Sequence, residues 1–378
     1  MKIAIFCHSI ISDWNHGNAH FLRGVASELI ARGHRVRLYE PRNAWSSRNL
    51  IAQHGSEPIE RFRRAYPQLT PVRYELDTLD LARELDGEDL VLVHEWNEPE
   101  LIARLGEQRR RTRSLRLLFH DTHHRAVSDP AAIKRLDLRD YDGVLAFGRI
   151  LRDIYLERGW AQHAWTWHEA ADVRVFKPVN AGRRAGDVVW IGNWGDEERN
   201  GALREFLLQP VRGLRLSAAI YGVRYPQHAM RELRDAGIEY RGWVANFEAP
   251  RVFAGFRATV HVPRSFYLNC LPGIPTIRVF EALACGIPLV SAPWEDTEGL
   301  FDAGSDFLMA RDGRDMERKL RMLLRDEATA AELAARGLAT IRRRHTCAHR
   351  ADELLNIYSE LLPHSSRGAR MKHESVNP

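Results

Sequence analysis

Residues Cys270–Trp294 read CLPGIPTIRVFEALACGIPLVSAPW and predict a short helix between a loop rich in proline and glycine and an apolar strand. Thr276 lies at the expected N-cap, Gly286 at the expected C′ position, and Pro288 prevents the helix from continuing. A helix of about ten residues is too short to be stable alone, so tertiary packing must hold it. Its N-terminus presents unpaired N–H groups and the positive end of the helix dipole, which favours a phosphate.

One carboxylate, that of Glu281, lies a turn inside this helix among apolar residues. The spacing predicts that a phosphate binds at the helix start while Glu281 accepts hydrogen bonds from a sugar hydroxyl of the same ligand. The residues that would hold this nucleotide sugar are Pro275, Thr276, Ile277, Arg278 and Glu281. A buried helix in which Glu281 pairs with Arg278 or with a backbone donor is the equally weighted alternative.

The composition bounds the class of protein. With 378 residues, the chain is too long for one typical core and sufficient for two domains. Its apolar fraction of 44% and charged fraction of 28% are usual for a globular protein, and we see no apolar run of the ~18 residues that a membrane span needs. The start, MKIAIFCHSI, reads as a strand rather than a signal peptide, and the four cysteines form no CxxC pair. We therefore expect a cytoplasmic protein with reduced thiols.

The net charge of +5 is small for this length, and with five lysines in the chain arginine carries most of the positive charge. Phosphate recognition in the second half must then depend on arginine or on backbone N–H groups. The basic runs Arg109–Arg113 and Arg342–Arg344 lack the interleaved aromatic residues of a nucleic-acid platform. We interpret them as solvated helix faces, so a nucleic-acid partner is not expected. Peripheral contact with an anionic membrane surface is the alternative.

Strand and helix patterns alternate from the first residues. Lys2–Cys7 reads as a buried strand, Asn18–Arg32 as a helix and Arg35–Glu40 as the next strand, which together predict a parallel βαβ unit. The alternation breaks at Val173–Gly186 and then restarts, so this segment is the predicted linker. The predicted divisions are an acceptor domain over 1–175, a donor domain over 186–345, a helix over 346–362 that packs back on the first domain, and a disordered tail over 363–378.

Ligands of open α/β sheets bind beyond the carboxyl ends of the strands, so polar motifs at strand ends are the first candidates. Phe119–His124, FHDTHH, directly follows an apolar strand. His120 and Asp121 are the candidate acid/base residues, because histidine transfers protons near neutral pH and a carboxylate orients it. Structural hydrogen bonding and a metal site are the alternatives, and adjacent His123 and His124 argue against convergent metal ligation.

The loop after the first strand contains one glycine, Gly17, so it lacks the GxGxxG pattern of a nicotinamide- or flavin-binding site. His16 and Gly17 are candidate contacts for an acceptor or a phosphate. His94, like His120, lies at the end of an apolar strand and is followed by an acidic residue, although the signal is weaker. We therefore include His94 among the candidate acceptor-binding residues. A structural loop with exposed histidines is the alternative.

Glycines and aromatic residues also end the strands of the second half. WIGNWGDEERN, Trp190–Asn200, follows the first of these strands. Glycine permits close approach of a ligand, an arginine can bind a diphosphate, and an aromatic ring can frame a base. The candidate donor-binding residues outside the signature helix are Gly192, Asn193, Arg199, Tyr221, Trp243, Val244 and Arg264. Ordinary βα turns would look the same.

The segment RVFEALACGIPLVSAPW resembles the signature of group 1, family 4-like, glycosyltransferases of the GT-B fold. The linker VRVFKP and the turn WIGNW are also similar, especially to the spore-maturation-protein-like branch. The resemblance covers the second half well and the first half in outline. It implies two Rossmann-like domains with parallel sheets facing across a cleft, a nucleotide-sugar donor, no obligatory metal and usually retention of configuration. It also implies that Glu281 binds the donor ribose and that His120 faces the donor sugar.

The sequence departs from the family pattern at two points. The family often has a glutamate eight residues before Glu281 that contacts the donor sugar, and Gly273 stands there instead. Its phosphate-binding lysine has no clear match, so Arg199 or Arg264 would have to replace it.

We therefore expect a retaining, metal-independent hexosyltransferase that transfers a sugar from a nucleotide sugar to a glycan, lipid or small-molecule acceptor, without a cofactor. The alternatives are a sugar-nucleotide epimerase of the same fold, a metal-dependent hydrolase that uses FHDTHH, and an inactive nucleotide-binding homologue.

Overall fold

Apolar strands of the first half form one parallel sheet in the computed structural model, which describes residues 1–180, 182–195 and 197–363. The strand order is β3-β2-β1-β4-β5-β6-β7. Ile5 in the central strand lies opposite Leu38 and Leu92 of its two neighbours. The strands are β1 Lys2–Phe6, β2 Arg35–Pro41, β3 Val72–Tyr74, β4 Leu90–His94, β5 Arg116–Asp121, β6 Gly143–Ala146 and β7 Ala164–Thr166.

Helices cover both faces of this sheet, which explains why its central strands are apolar without alternation. Phe21 and Val25 of one helix pack on the first face, and Leu101 and Leu105 of another pack on the second. The helices are α1 Ala19–Ala31, α2 Trp45–His54, α3 Glu57–Ala65, α4 Leu81–Glu84, α5 Pro99–Arg111, α6 Arg125–Ser128, α7 Pro130–Lys134 and α8 Arg149–Glu157, with a 3₁₀ turn at Leu76–Thr78.

A second parallel sheet has the order β10-β9-β8-β11-β12-β13, and Val188 lies opposite Ala218 and Ala258. Its strands are β8 Gly186–Ile191, β9 Ala218–Tyr221, β10 Ile238–Tyr240, β11 Phe256–His261, β12 Leu289–Ser291 and β13 Leu308–Met309. Its helices are α9 Asn200–Leu203, α10 Gln209–Leu214, α11 Gln227–Asp235, α12 Ala249–Ala254, α13 Ser265–Asn269, α14 Ile277–Ala284, α15 Gly313–Arg325, α16 Glu327–Arg344 and α17 Cys347–Glu360. Shorter turns are 3₁₀ at Glu197–Arg199 and Asn246–Glu248 and π-helical at Arg204–Leu208.

The two parallel sheets, of seven and six strands, confirm the predicted α/β architecture. The chain passes from the first sheet to the second between Thr166 and Gly186 and returns after Arg344. The last helix, α17, packs against α1, where Cys347 and Leu354 join the core of the first sheet. Residues 364–378, most of the predicted tail, lie outside the described ranges.

The signature helix α14 begins at Ile277 and ends at Ala284. Gly286 has φ 66°, which confirms its position as the residue that terminates the helix. Thr276 is the N-cap residue, but its hydroxyl lies 3.1 Å from His261 Nε2 and makes no capping hydrogen bond. Along the described ranges, no helix combines the length and apolarity that a membrane crossing requires.

The packing of α17 on α1 depends on a glycine. A Cβ at Gly24 would collide with Cys347 Sγ and lie 2.8 Å from Asp172 Cβ. We therefore predict that Gly24→Ala lowers the free energy of unfolding by about 1–3 kcal/mol, the usual cost of overpacking. Gly201→Ala is the matched control, because Gly201 also lies in a helix and a Cβ there would have no atom within 4 Å. Urea denaturation followed by circular dichroism tests both variants, and equal midpoints would contradict this account.

Candidate functional site

A cavity of about 50 Å³ lies where the loops after β1 and β8 meet. The hydrogen bond between the Asn15 and Asn193 side chains joins the two loops. The first domain contributes Asp13, Asn15, His16 and Gly17 to its wall, and the second contributes Ile191, Gly192, Asn193, Tyr221, Gly222, Val223, Trp243, Val244, Asn246 and Arg278. The cavity therefore lies between the domains, at the carboxyl ends of both sheets.

The start of α14 forms one side of this cavity. Arg278, in the first turn, lines it. A Cβ at Gly17 would lie 3.6 Å from Ile277 Cγ2 and 4.0 Å from Arg278 Nη2. Gly17 thus lies next to the helix N-terminus, whose backbone N–H groups suit a phosphate, and the space there would also accept a methyl group.

Glu281 is fully buried and joins the two domains. Its Oε1 lies 3.0 Å from His20 Nδ1, and its Oε2 accepts a hydrogen bond from Arg278. His20 Nε2 accepts the backbone N–H of Asp172 at 2.9 Å, so Nδ1 carries the proton and donates to Glu281. Burial opposes ionisation, but the Arg278 charge and the His20 hydrogen bond outweigh it and hold the pKa of Glu281 below its ordinary value. The pairing with Arg278 is thus present, and Glu281 reaches the cavity through Arg278, which lines it, rather than lining it itself.

A second acid, Glu169, lies buried beside this cluster. Burial and the Glu281 charge raise the pKa of Glu169 to about 8, against the opposing effects of Arg278 and the backbone N–H of Ile277. The Glu169 carboxyl therefore occupies a backbone N–H group at the start of α14 that a bound phosphate would use. The sequence reasoning missed this residue, although an acid between Trp167 and the predicted linker was a usable signal.

Arg199, a predicted diphosphate ligand, holds its own loop in place. Its guanidinium donates to the carbonyls of Trp194 and Val262, each at 3.3 Å, and to that of Asn193. The residue is 9% exposed and does not line the cavity. Buried carbonyls need donors, and Arg199 supplies them at the end of β8.

Arg264, the other predicted replacement for the phosphate lysine, is also engaged elsewhere. Its Nε donates to Glu198 Oε1 at 2.8 Å, and Glu198 Oε2 accepts the backbone N–H and hydroxyl of Ser265 at 3.0 and 2.6 Å. Among the described residues that line the cavity, the arginine is Arg278.

Five of the remaining candidates of the second domain meet at the cavity, whereas Pro275, Thr276 and Ile277 are not among its lining residues. Gly192 donates its N–H to the Tyr221 carbonyl at 2.8 Å, and the Asn193 side chain accepts the Val223 N–H at 2.8 Å. Trp243 donates its indole N–H to Asp13 at 3.0 Å. The structure thus brings together the predicted Gly192, Asn193, Tyr221, Trp243 and Val244.

Histidine rings form a row that leads from the cavity into the core. Ring centroids are 5.8 Å apart for His16 and His94, 5.5 Å for His94 and His120, and 4.8 Å for His120 and Trp167. His120 is 2% exposed, so the predicted catalytic histidine lies two rings behind the cavity wall. The sequence shows that His120 lies at the end of β5, but it does not show that the loops after β1 and β4 cover this histidine.

Asp121, the partner assigned to His120, accepts the Tyr155 hydroxyl at 2.7 Å and the His123 N–H at 3.0 Å instead. Burial and the neighbouring Asp121 carboxylate raise the pKa of Glu95 well above its ordinary value. Arg125 donates to Glu95 Oε2 at 3.1 Å. In the described ranges, no group of three or more His, Cys, Asp or Glu side chains is arranged to hold a metal ion. Both oxygens of Asp121 in FHDTHH are thus occupied by hydrogen bonds within the first domain.

Residues 199–356 match the family model described as glycosyl transferase-like. The chain is similar over 96% of its length to the whole structure of the Anabaena HepE protein in complex with UDP and glucose, with 14% identity and a TM-score of 0.68. An alpha-glucosyltransferase in complex with UDP and DNA containing a HMU base gives a TM-score of 0.70 at 13% identity, with 95% and 99% of the two chains covered. For sucrose-phosphate synthase from Thermosynechococcus elongatus the TM-score is 0.65 at 14% identity, and the similarity covers 96% of this chain and 99% of the synthase. No curated protein sequence matches the chain significantly.

These findings confirm the predicted GT-B fold, and residues 199–356 match a glycosyl transferase-like family model. The assignment to the spore-maturation-protein-like branch stays a prediction.

The buried histidines make stability depend on pH. Burial lowers the pKa of His16 and of His120 to about 3 and that of His8 to about 4. In the unfolded chain these histidines bind protons below about pH 6.5, whereas in the folded protein they stay neutral. The free energy of unfolding is therefore highest above that pH and decreases as the pH falls toward 3. We predict that His120→Phe reduces the loss of unfolding free energy between pH 6.5 and 5 by about 1–2 kcal/mol. Urea titrations at both pH values test this, with exposed His163→Phe as control, and an unchanged pH dependence would contradict it.

Proposed function

We propose that the protein transfers a sugar from a nucleotide-sugar donor to an acceptor, and that the cavity between the domains is the donor site. The observation that supports this most is the meeting of Gly17, the start of α14 and Arg278 at one side of that cavity. Backbone N–H groups at the helix start and one guanidinium suit a diphosphate. UDP or UDP-glucose is bound in the HepE structures, so uracil is the proposed base.

Each part of the donor has a proposed position. The diphosphate binds at Ile277 and Arg278, the base lies near Tyr221 and Trp243, and the ribose hydroxyls bind Glu281. In this proposal Gly17 belongs to the donor site rather than the acceptor site, because it lies against Ile277 and Arg278. The helix dipole and Arg278 stabilise the departing diphosphate without a metal.

Donor entry requires the domains to separate. A cavity of about 50 Å³ is far below the ~300–1,000 Å³ of typical small-molecule sites. The hydrogen bonds of Trp243 with Asp13 and of His20 with Glu281 cross the interface and must break or rearrange. We propose a hinge at the two chain crossings, so that closure excludes water, which would otherwise hydrolyse the donor.

The transfer step we propose retains configuration. The acceptor oxygen forms the new bond to the anomeric carbon on the same face from which the diphosphate leaves, while the bond from that carbon to the diphosphate oxygen breaks and its electron pair leaves with the diphosphate. The acceptor proton passes to the leaving diphosphate. His16 lines the cavity and faces this chemistry, and His120 is a positioning residue behind His94.

Gly273 supports a second candidate, a nucleotide-binding homologue without transfer activity. Gly273 has φ 92°, and a Cβ there would collide with the Thr297 hydroxyl. The fold at this position therefore excludes the glutamate that the family often uses to contact the donor sugar. This homologue would bind nucleotide without turnover.

We predict that Arg278→Ala weakens UDP binding at least tenfold, because a charge-assisted hydrogen bond to the diphosphate is lost. Isothermal titration calorimetry measures the affinity. Arg321→Ala, on the exposed side of α15, is the control and should bind UDP like the wild type. Since Arg278 also pairs with Glu281, Arg278→Lys keeps a charge there and should recover part of the affinity. Equal UDP affinity of wild type and Arg278→Ala would remove Arg278 from the donor site.

Excess chelator should leave consumption of a UDP-sugar unchanged. The proposed leaving-group stabilisation uses Arg278 and backbone N–H groups, whereas a hydrolase built on FHDTHH would lose activity. Chromatography of the products separates the rival activities: an epimerase yields an isomeric UDP-sugar without acceptor, and the transferase releases UDP. Loss of activity with EDTA that zinc restores would support the hydrolase.

A further inference from the structure

A larger cavity, of about 380 Å³, adjoins the donor cavity and shares Asn15 and His16 with it. Its other lining residues are His8, Trp45, Trp96 and Arg224. We propose that this cavity is the acceptor site, and that it takes a saccharide bearing a carboxylate or phosphate, with a sugar ring on the tryptophans and the anionic group at Arg224. This inference rests on the proposed transferase function, because the shared wall places an acceptor hydroxyl beside the donor sugar.

The two tryptophans are unusual in their exposure. Trp45 is 40% and Trp96 is 42% exposed, and both line this one cavity. Each indole is held from its protein side: Trp14 packs edge-on against Trp45 with centroids 5.1 Å apart, and the Arg125 guanidinium lies 4.1 Å from the Trp96 ring centre. Rigid aromatic surfaces that remain open to solvent are typical of binding sites.

Backbone strain is concentrated at the same place. Within the described ranges, three residues other than glycine have positive φ, and two of them, Asn15 at 51° and Arg224 at 60°, line the cavity. Such conformations persist where the surroundings impose them, and they cluster at functional sites. Asn193 contacts both segments, because it bonds to the Asn15 side chain and accepts the N–H of Val223, the residue before Arg224.

The lining chemistry selects the ligand class. None of the lining residues that the structure describes has an aliphatic side chain that would hold a lipid chain, whereas indole faces suit the C–H face of a sugar ring. Burial lowers the pKa of His8 to about 4 and that of His16 to about 3, so both are neutral at pH 7. Arg224 is then the charged lining group, which favours an anion.

This assignment changes the acceptor residues predicted from sequence. Of His16, Gly17 and His94, His16 lines the larger cavity, Gly17 lines the donor cavity, and His94 is buried behind His16. Arg224 comes from the second domain, so the acceptor site is complete when the domains are closed.

Saturation-transfer NMR tests the proposal with the full chain at saturating UDP. The probes are methyl α-D-glucopyranoside, its methyl glucuronide counterpart, glucose 6-phosphate and decanoate. We expect one of the two anionic sugars to give signals at least threefold above the neutral glucoside, and whichever does identifies the anion as carboxylate or phosphate. Trp45→Ala and Trp96→Ala should each reduce these signals at least fivefold, while the Phe variants retain a ring and part of the signal. Arg224→Gln should bring the anionic sugar to the level of the glucoside.

Leu156→Ala, at an exposed apolar position of the first domain outside the cavity, is the control and should change nothing. Undiminished sugar signals in both Trp→Ala variants, equal signals for neutral and anionic sugars, no sugar binding, or binding of decanoate alone would each overturn the proposal. Calorimetry with UDP separates it from the proposed function, because all of these variants should retain wild-type UDP affinity. A wild-type protein that binds no UDP contradicts the donor site, whatever the sugar signals show.

Discussion

The hydrogen bond between His20 and Glu281 holds the start of the signature helix against the first domain. A fully buried carboxylate is costly unless it is paired and hydrogen-bonded, and here an imidazole from α1 and the Arg278 guanidinium satisfy it. His20 in turn accepts the Asp172 N–H, so the connection reaches the segment between the two sheets. This chain of hydrogen bonds sets the distance between Gly17 and the helix N-terminus, and hence the geometry of the proposed diphosphate site.

The loops after β1 and β8 form the other half of this arrangement. Asn193 lines the small cavity of the proposed donor site, accepts the Val223 N–H, and contacts Asn15, which lines both this cavity and the larger one formed by Trp45 and Trp96. A ligand that separates Asn193 from Asn15 would open the two sites together, which links donor entry to acceptor binding in the proposed reaction.

Arginine carries most of the positive charge in this chain, and much of it is used structurally. Arg199 donates to backbone carbonyls, and Arg264 pairs with Glu198. A guanidinium has five donors in a planar fork, so it satisfies several buried acceptors at once. Arg278 differs from these two arginines because it lines the cavity. Residue type alone therefore did not distinguish a phosphate ligand from an arginine that supports a loop.

The sequence by itself determined the alternation of strands and helices, the parallel sheets and the end of α14 at Gly286, because these depend on local periodicity and on a residue that tolerates positive φ. It also placed His120 at the end of its strand and Glu281 one turn inside its helix. Only the tertiary structure decided that His120 lies behind His94 and that Glu281 pairs with His20. It likewise brought Trp45, Trp96 and Arg224 to one cavity. These contacts join segments far apart in the chain, and no short-range pattern records which loops pack over which strand ends.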